Sequence, residues 1–356
     1  MLSILTLDEQ DEWNTIVQGF EQHDVYYLAN YVKAFNIHGD GEPTLFYYEA
    51  GDMKAINVVM KRDIADDKQF TGKLPANTFY DFATPYGYGG FLIEGSATTS
   101  AMHALADEYS AYCKEAGIIS EFVRFHPLLQ NAEAAKSLYK VKPLGKTITV
   151  SLTSTHCIWE DLRNNKKRWI KKAREAGVEV YSGREPELFQ EFKRMYEQTM
   201  KKNNAQDYYY FNEAFYQSVL HDLPDHSVIF YAVYKGRKIA MVLVLYGNRR
   251  MHHHLSASEE AFSHLAPTNL LMYEIACWGS EHGFESFHMG GGVGSKEDSL
   301  YQFKEGFNKN SQTHFSIGKK IFNEEVYDYL LDMRRRGERM DESALFFPLY
   351  RSSFSK

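Results

Sequence analysis

Cysteine is scarce in this chain, and long apolar runs are missing. Cys113, Cys157 and Cys277 are too far apart to form a metal-ligand cluster by local spacing, and each is expected to be a small buried side chain in a reducing compartment. No apolar stretch approaches the roughly twenty residues of a membrane-spanning helix. The opening residues become acidic too soon for a signal peptide. The sequence therefore predicts a soluble, cytoplasmic protein.

An excess of positive charge is also missing. The formal net charge is −7, so the molecule as a whole is not attracted to nucleic acid or to anionic lipid, and any contact with a polyanion must be local. Apolar residues make up 44% of the 356 residues and aromatic residues 15%, which is enough for full cores. We expect two domains and no DNA partner.

The two halves of the sequence share an order of elements. The segments LFYYEAGDMKAINVVM and FYAVYKGRKIAMVLVL have the same hairpin pattern when Gly51 is aligned with Gly236. Downstream, a helix, a glycine and a strand recur, with Gly117 aligned on Gly283. The repeat predicts two copies of one mixed α/β (α+β) unit with a cleft between them. The domains are expected at residues 1–150 and 151–356.

A glycine-rich turn lies near the end of the second half. A short strand at residues 286–289 precedes the glycines at 290–292, which permit close approaches and backbone angles that side chains forbid. A helix is expected to follow, with Ser299 as its N-cap and an inward apolar stripe. The stripe consists of Leu300, Phe303 and Phe307.

Lys304 lies at the edge of this stripe, where a long side chain can present its ammonium. A strand, a glycine turn and a helix with a lysine could together hold an anion or an oxyanion. The alternative is a glycine-rich loop that only ends a strand. The spacing matches neither a Walker phosphate loop nor a GxGxxG fingerprint, so both of these nucleotide motifs are excluded.

The ordered set of elements in the second half resembles the FemABX family of aminoacyl transferases, which are tandem acyltransferase domains of the GNAT superfamily. It comprises a hairpin, a third strand, a helix that opens at Pro267, Gly283, a strand, the glycine turn and the pattern FK..F. The similarity covers nearly the whole chain. Further segments that fit are Asp81 with PYGYGG, residues 168–173 followed by Gly177, and residues 208–211.

The resemblance implies acyl transfer to an amine of a cell-envelope or sugar precursor. It implies a donor that is either aminoacyl-tRNA or acyl-CoA, no permanently bound cofactor, and a small-molecule or lipid-linked acceptor. The chain departs from the family in two ways: it has no heptad run for a coiled-coil hairpin, and residues 263–267 stand where a GNAT pyrophosphate loop would be. A catalytically silent GNAT-like module that binds a sugar-nucleotide or a protein partner is therefore the alternative.

The predicted catalytic residues are Lys304 and Asp81. Lys304 matches the lysine of the FK motif and would stabilise the oxyanion formed during amide synthesis. Asp81 could act as a base or receive the ammonium of the acceptor, and the alternative is an aspartate that caps a turn. The predicted substrate-binding residues are Tyr86, Tyr88, Arg168, Lys171, Tyr209, His254, Asn269, Gly291 and Phe303.

Aromatic and basic segments account for several of these assignments. Tyr86 and Tyr88 could form aromatic walls for a sugar or a peptide, or belong to a packed loop. A basic stripe on the predicted helix at 159–176 could hold phosphates of a nucleotide, tRNA or a lipid-linked substrate, or be a solvated face. The stripe is Arg163, Lys167, Lys171 and Arg174, with Arg168 and Lys172 at its flanks and Leu162, Trp169 and Ala173 expected to face inward.

Three consecutive histidines do not predict a metal site. In a regular strand His252 and His254 share one face and His253 takes the other, which gives two ligands without a third. One histidine, His254, is predicted to contact substrate, and the hydroxyl of Tyr209 could reach the cleft. The tail, with residues 334–336 and 346–350, could touch a membrane surface or dock on its own domain.

Overall fold

The fold was obtained as a computed structural model that describes residues 1–311, 313–337 and 346–352. The chain divides into two units, and the division differs from the expected one. Unit 1 comprises Met1–Leu144 and Phe315–Lys356, and unit 2 comprises Gly145–His314. The C-terminal segment thus returns to the first unit, whereas the sequence places it with the second.

Helices and strands are interspersed along the chain, as expected for a mixed α/β fold. The strands are β1 (Leu2–Leu5), β2 (Glu42–Ala50), β3 (Met53–Asp63), β4 (Tyr80–Ala83), β5 (Leu92–Glu94), β6 (Ile118–Arg124), β7 (Lys140–Ser151), β8 (Glu179–Gly183), β9 (Ser227–Tyr234), β10 (Arg237–Gly247), β11 (Arg250–Ser258), β12 (Ser286–Gly290) and β13 (Thr313–Ile321). The α-helices are α1 (Gln10–Gln18), α2 (Ala29–His38), α3 (Thr99–Glu115), α4 (Thr155–Asp161), α5 (Asn164–Glu175), α6 (Pro186–Lys202), α7 (Glu213–Asp222), α8 (Pro267–Glu281), α9 (Ser299–Glu305) and α10 (Glu324–Gly337).

Each unit has a sheet with the same strand order and the same strand senses. In unit 1 the order is β1-β2-β3-β4-β6-β13, in which only the β4–β6 pair is parallel. In unit 2 the order is β8-β9-β10-β11-β12-β7, in which only the β11–β12 pair is parallel. The repeat inferred from the sequence is therefore a repeat of topology.

The last strand of each sheet explains the division of the chain. In unit 1 this strand is β13, which pairs antiparallel with β6 from Ile317 to Ile321. After it, α10 buries Tyr327, Leu330 and Leu331 in a cluster with Phe70, also of unit 1. Short-range sequence patterns do not reveal that β13 pairs with a strand about 200 residues earlier, which is why the division expected from the sequence puts the tail with the second half.

The cores follow the amphipathic pattern of the helices. In unit 2, α8 is apolar on nearly every side, and Leu270, Leu271 and Ile275 are almost completely buried beneath the sheet. In unit 1, α3 buries Leu105 and Tyr109. Among the described residues, no helix combines the length and the apolar composition needed to cross a bilayer.

The basic helix differs from its prediction. The expected helix at 159–176 is two helices, because Leu162 has extended backbone angles between α4 and α5. The break rotates the second helix relative to the predicted pattern: Ile170 is fully buried, whereas Trp169, expected to face inward, is 42% exposed. Lys166, outside the predicted stripe, is only 5% exposed.

The helix after the glycine turn begins one residue earlier than predicted. Its N-cap is Asp298, not Ser299, because the Asp298 carboxylate accepts a hydrogen bond from the Tyr301 N–H. Leu300 is 40% exposed and does not belong to the inward stripe, while Phe307 is buried. Tyr301 takes the buried position that Leu300 was expected to fill.

Candidate functional site

The parallel strands β11 and β12 pair over a short distance and then separate. Their ladder has three residue pairs and ends at His252 and His288. β11 continues to Ser258 along β10, whereas β12 continues to Gly290 along β7. Beyond His252, the edge of β11 that faced β12 therefore has no partner strand in the described part of unit 2. The Ser258 N–H at its far end donates to the Thr199 hydroxyl, so the stretch of this edge that is open to pairing with a ligand lies before Ser258. We call this place the fork.

A bulge in β11 lies directly at the fork. Leu255 pairs with Leu243 and His253 pairs with Val244, so His254 is an additional residue in the ladder. The regular alternation expected for the three histidines is therefore broken. His253 shares the face of the sheet that carries Val244, a member of the unit 2 core.

His253 bridges the two strands where the ladder ends. Its ring donates a hydrogen bond to the carbonyl of Met289 on β12, while Nε2 is buried and has no partner among the described residues. Burial, reinforced by the nearby Lys304 ammonium, lowers the pKa of His253 to about 3. The imidazole is therefore neutral near pH 7, and its Nε2 can only accept a hydrogen bond.

His254, the predicted substrate contact, is half-buried in the same strand. Burial lowers its pKa to about 3, with smaller contributions from His252 and His253. Sequence reasoning selected His254 and passed over His253. The different positions of His253 and His254 depend on the bulge, which follows from the register with β10 and not from the local sequence.

Lys304 is buried beside the fork, with 7% of its surface exposed. Its ammonium donates a hydrogen bond of 2.7 Å to the carbonyl of Gly291. Burial lowers the pKa of Lys304 to about 8, and the negative charge of Asp298 opposes this shift. The predicted residues Lys304 and Gly291 are thus brought into direct contact, and a positive charge is held at the end of β12.

The glycine turn is fixed from both ends. Asp298 accepts hydrogen bonds from the N–H groups of Val293 at 3.0 Å and Tyr301 at 2.9 Å. Gly291 must be glycine because a Cβ atom there would lie 2.9 Å from the carbonyl oxygen of Lys146. The N–H groups expected to form an anion site at the start of α9 are therefore partly used within the turn, and Lys304 supplies the main positive charge.

A second buried lysine, Lys166 of α5, places its ammonium at the start of α8. The Lys166 ammonium donates a hydrogen bond of 2.9 Å to the side-chain oxygen of Asn269 and lies 3.6 Å from the centre of the Phe303 ring. Gly306 gives its side chain room, since a Cβ atom there would collide with the Lys166 stem. Two of the predicted residues, Asn269 and Phe303, thus meet around a lysine that the sequence did not single out.

Lys166 has no carboxylate partner among the described residues. Burial lowers its pKa to about 7, so a substantial fraction of the amine is neutral near physiological pH. The positive end of the α8 dipole also disfavours a cation at this position. A buried cation at a helix N-terminus without a counter-anion is suited to receive an anionic group.

Most of the predicted basic stripe is engaged in ion pairs. Arg163 pairs with Glu305 at 2.7 Å, Lys167 with Glu160 at 3.5 Å, and Arg174 with Glu274 at 2.6 Å. These pairs reduce the capacity of the stripe to hold phosphates. Arg168 and Lys171, the two members predicted to bind substrate, are exposed and have no ion pair in the described part of the chain.

Asp81 belongs to unit 1 and is completely buried. One carboxylate oxygen contacts Arg62 at 2.7 Å, and the other contacts Arg351 at 2.6 Å and the Tyr350 hydroxyl at 3.0 Å. Burial would raise the pKa of this carboxyl, but the two guanidinium groups outweigh it and hold the pKa below its usual value. This geometry favours a structural role, and a catalytic role for Asp81 stays a prediction.

The tyrosine–glycine loop of unit 1 is packed. Tyr86 stacks on Phe35 at 5.3 Å, and Tyr88 is buried with its ring edge-to-face against Phe315 at 5.6 Å. Backbone bonds from Thr84 to Phe122 and from Gly89 to Arg124 attach the loop to β6. The loop therefore closes, in unit 1, the place that corresponds to the fork of unit 2.

Other parts of the molecule contribute less to the site. Tyr209 lies in a short turn of unit 2, is 36% exposed, and contacts Tyr208 edge-to-face. A cavity of about 580 Å³ in unit 1 is lined by residues of α3, β13 and α10 and includes no predicted site residue. The expected cleft between the units stays a prediction.

A family model matches the stretch of the chain that contains these residues. Residues 160–305 match the model of the acetyltransferase (GNAT) domain, and this range contains the fork, Lys166 and Lys304. FemX has 13% identity and a TM-score of 0.66, over 92% of this chain and 99% of its own. The C-terminal domain (DUF2156) of a putative lysylphosphatidylglycerol synthetase from Agrobacterium fabrum has 14% identity and a TM-score of 0.56, over 93% and 95% of the two chains.

A conserved protein of unknown function from Bacteroides thetaiotaomicron is similar to the same extent. It has 11% identity and a TM-score of 0.57, over 90% of this chain and 99% of its own. No curated protein matches the sequence. At these identities the solved structures establish the fold, and together with the domain match they agree with the expected pair of GNAT-like domains.

Proposed function

We propose that this chain, a FemABX-like member of the GNAT superfamily, is an N-acyltransferase that forms an amide on an amine of a cell-envelope precursor. The GNAT domain at 160–305 supports acyl or aminoacyl transfer in general. The observation that carries the proposal is the fork in unit 2. It joins an unpaired strand edge, a buried cation and an unpartnered imidazole nitrogen within this domain.

The chemistry follows from these groups. The amine nitrogen of the acceptor attacks the acyl carbonyl carbon, and the bond from that carbon to the thioester sulfur or the ribose oxygen of the donor breaks. The proton lost by the nitrogen ends on the leaving sulfur or oxygen, which departs as a thiol or a hydroxyl. Negative charge develops on the carbonyl oxygen, and a fixed positive group in a dry site stabilises it by about 3–4 kcal/mol. Lys304 provides that charge beside the fork, and the neutral Nε2 of His253 can accept a hydrogen bond from an approaching N–H.

Lys166 supports a donor that carries phosphate. Acyl-CoA and aminoacyl-tRNA both do, and neither is a permanently bound cofactor. The residues before α8 lack the spaced glycines of a pyrophosphate loop, so a buried cation at the same helix end offers another way to hold an anion. We assign the donor phosphate to Lys166 and Asn269.

Replacing Lys166 with Met should raise the KM for the donor by about tenfold and change kcat less, because the variant loses the cation assigned to the donor phosphate. A tenfold rise in KM corresponds to a loss of about 1.4 kcal/mol of binding free energy. Steady-state kinetics with varied donor measure this. Lys201→Met, at an exposed position of unit 2, is the matched control. An unchanged donor KM in Lys166→Met would remove the phosphate assignment.

The acceptor is proposed from the relatives. One neighbour is named for lysylphosphatidylglycerol, an aminoacylated lipid, and another is FemX. We infer a lipid-linked or small-molecule acceptor and a cytoplasmic location. Exposed Arg168 and Lys171 offer cations to the phosphate of a lipid-linked precursor.

A catalytically silent binding module is the second candidate. It is favoured by the hydrogen bond between Lys304 and Gly291, which uses one of the three N–H donors of the ammonium within the glycine turn. Melting temperatures measured with CoA thioesters, aminoacyl-tRNA and sugar nucleotides separate the candidates. The acyltransferase should be stabilised by one donor class, by about 2.7 kcal/mol at a hundred times its Kd. Stabilisation by a sugar nucleotide alone, without any donor effect, would favour the binding module.

A further inference from the structure

The outer face of α5 carries three exposed basic side chains around an exposed tryptophan. By the outer face of α5 we mean Arg168, Trp169, Lys171 and Lys172. The opposite side of the helix anchors it, since Ile170 is completely buried in the core of unit 2. The orientation of the outer face is therefore fixed, and its exposure does not result from a loosely held helix.

The cations of this face differ from the other basic residues of the same segment. Arg163, Lys167 and Arg174 each have a carboxylate partner. Arg168, Lys171 and Lys172 have none within the described residues, although Glu175 is exposed at the end of the helix. Three positive charges with one carboxylate nearby thus lie together, which gives this face a net positive charge on a chain whose net charge is −7.

Trp169 indicates which polyanion fits. It is 42% exposed, and the Lys172 ammonium lies 4.9 Å from the centre of its ring. A nucleic-acid base that stacks on this ring face would have to displace the ammonium. At a bilayer interface the two groups remain compatible, because an indole lies at the headgroup level while neighbouring lysines reach the lipid phosphates.

We propose that the outer face of α5 docks the protein on an anionic phospholipid surface. Its cations attract the headgroup phosphates, and Trp169 enters the interface beside them. The net negative charge of the chain restricts the attraction to this face, which also orients the molecule on the surface. The inference concerns binding to lipid and does not depend on acyl transfer.

Co-sedimentation with vesicles tests it on the full chain. The vesicles contain phosphatidylcholine alone or with about one third phosphatidylglycerol, and binding should be confined to the anionic vesicles and fall with salt. The double variant Arg168→Glu/Lys172→Glu should bind at least about 25-fold more weakly, since each basic residue near such a surface contributes about a factor of five. Trp169→Ala should also weaken binding without a change of charge.

The matched control is Lys201→Glu/Lys235→Glu, which changes the net charge equally at exposed positions of unit 2. Its vesicle binding should stay within about twofold of the wild-type chain, allowing for a small long-range charge effect. Absence of wild-type binding to anionic vesicles, or equal losses in the two double variants, would overturn the proposal. So would binding of unfractionated tRNA that is lost in the α5 variant while the vesicles remain unbound, because the face would then be an RNA surface.

Discussion

Replacing Lys304 with Met is expected to lower kcat by about a hundredfold, because removing one fixed positive group at an oxyanion costs about 3 kcal/mol of transition-state stabilisation. The donor KM should change little, since the donor phosphate is assigned to Lys166. Stability should be preserved, because Met fills the same volume and removes a buried charge that burial disfavours. Steady-state kinetics and thermal unfolding measure both effects.

Lys304 also predicts a pH dependence. Burial lowers its pKa to about 8, so the ammonium is present below that pH and is lost above it. The kcat should therefore fall as the pH rises through about 8, even though the acceptor amine becomes more nucleophilic. Lys304→Arg should restore little activity, because a planar guanidinium does not occupy the place of a compact ammonium.

The control for Lys304 is Lys296→Met, the same substitution at an exposed position of the glycine-turn loop. Its kcat should match that of the wild-type chain. If Lys304→Met kept wild-type turnover, or lost activity only in proportion to unfolding, Lys304 would be a structural residue. The fork would then lack its source of positive charge.

Replacing Asp81 with Asn should lower the free energy of unfolding by about 3–5 kcal/mol, because Arg62 and Arg351 would be left without their buried counter-charge. For a unit of this size the melting temperature should fall by about 10 °C. Chemical denaturation and calorimetry measure these changes. Asp66→Asn, at an exposed position of unit 1, should have little effect.

The sign of the pH effect follows from the lowered pKa of Asp81. Its folded-state pKa lies below the unfolded value, so its stabilisation is fully present above about pH 4 and is lost as the pH falls through the folded pKa. The difference between the wild-type chain and Asp81→Asn should therefore shrink in acid. A stable Asp81→Asn variant that has lost turnover would instead support the catalytic role.

Local patterns predicted most elements of the fold. The helix expected to open at Pro267 begins at that residue as α8, and the short strand expected from residue 286 begins there as β12. The repeat of hairpin, helix and strand could also be recognised, because each half carries its own turn and cap glycines.

What the sequence did not reveal depends on residues that are far apart. Lys166 is buried because Gly306 leaves room for its stem and Asn269 accepts its hydrogen bond, about 140 and 103 residues later. Asp81 has Arg351 as a partner 270 residues away. The bulge at His254 is set by pairing with β10. Periodicity along the chain contains none of these relations.

The formation of an amide is the most direct test of the account. The wild-type chain is incubated with an amine acceptor and either acyl-CoA or aminoacyl-tRNA, and the acceptor is analysed by mass spectrometry before and after hydroxylamine treatment. The acceptor should gain the acyl group from one donor class in a hydroxylamine-resistant linkage, and Lys304→Met should slow this gain. A hydroxylamine-labile ester, or no gain from a donor that demonstrably binds, would contradict acyl transfer to an amine.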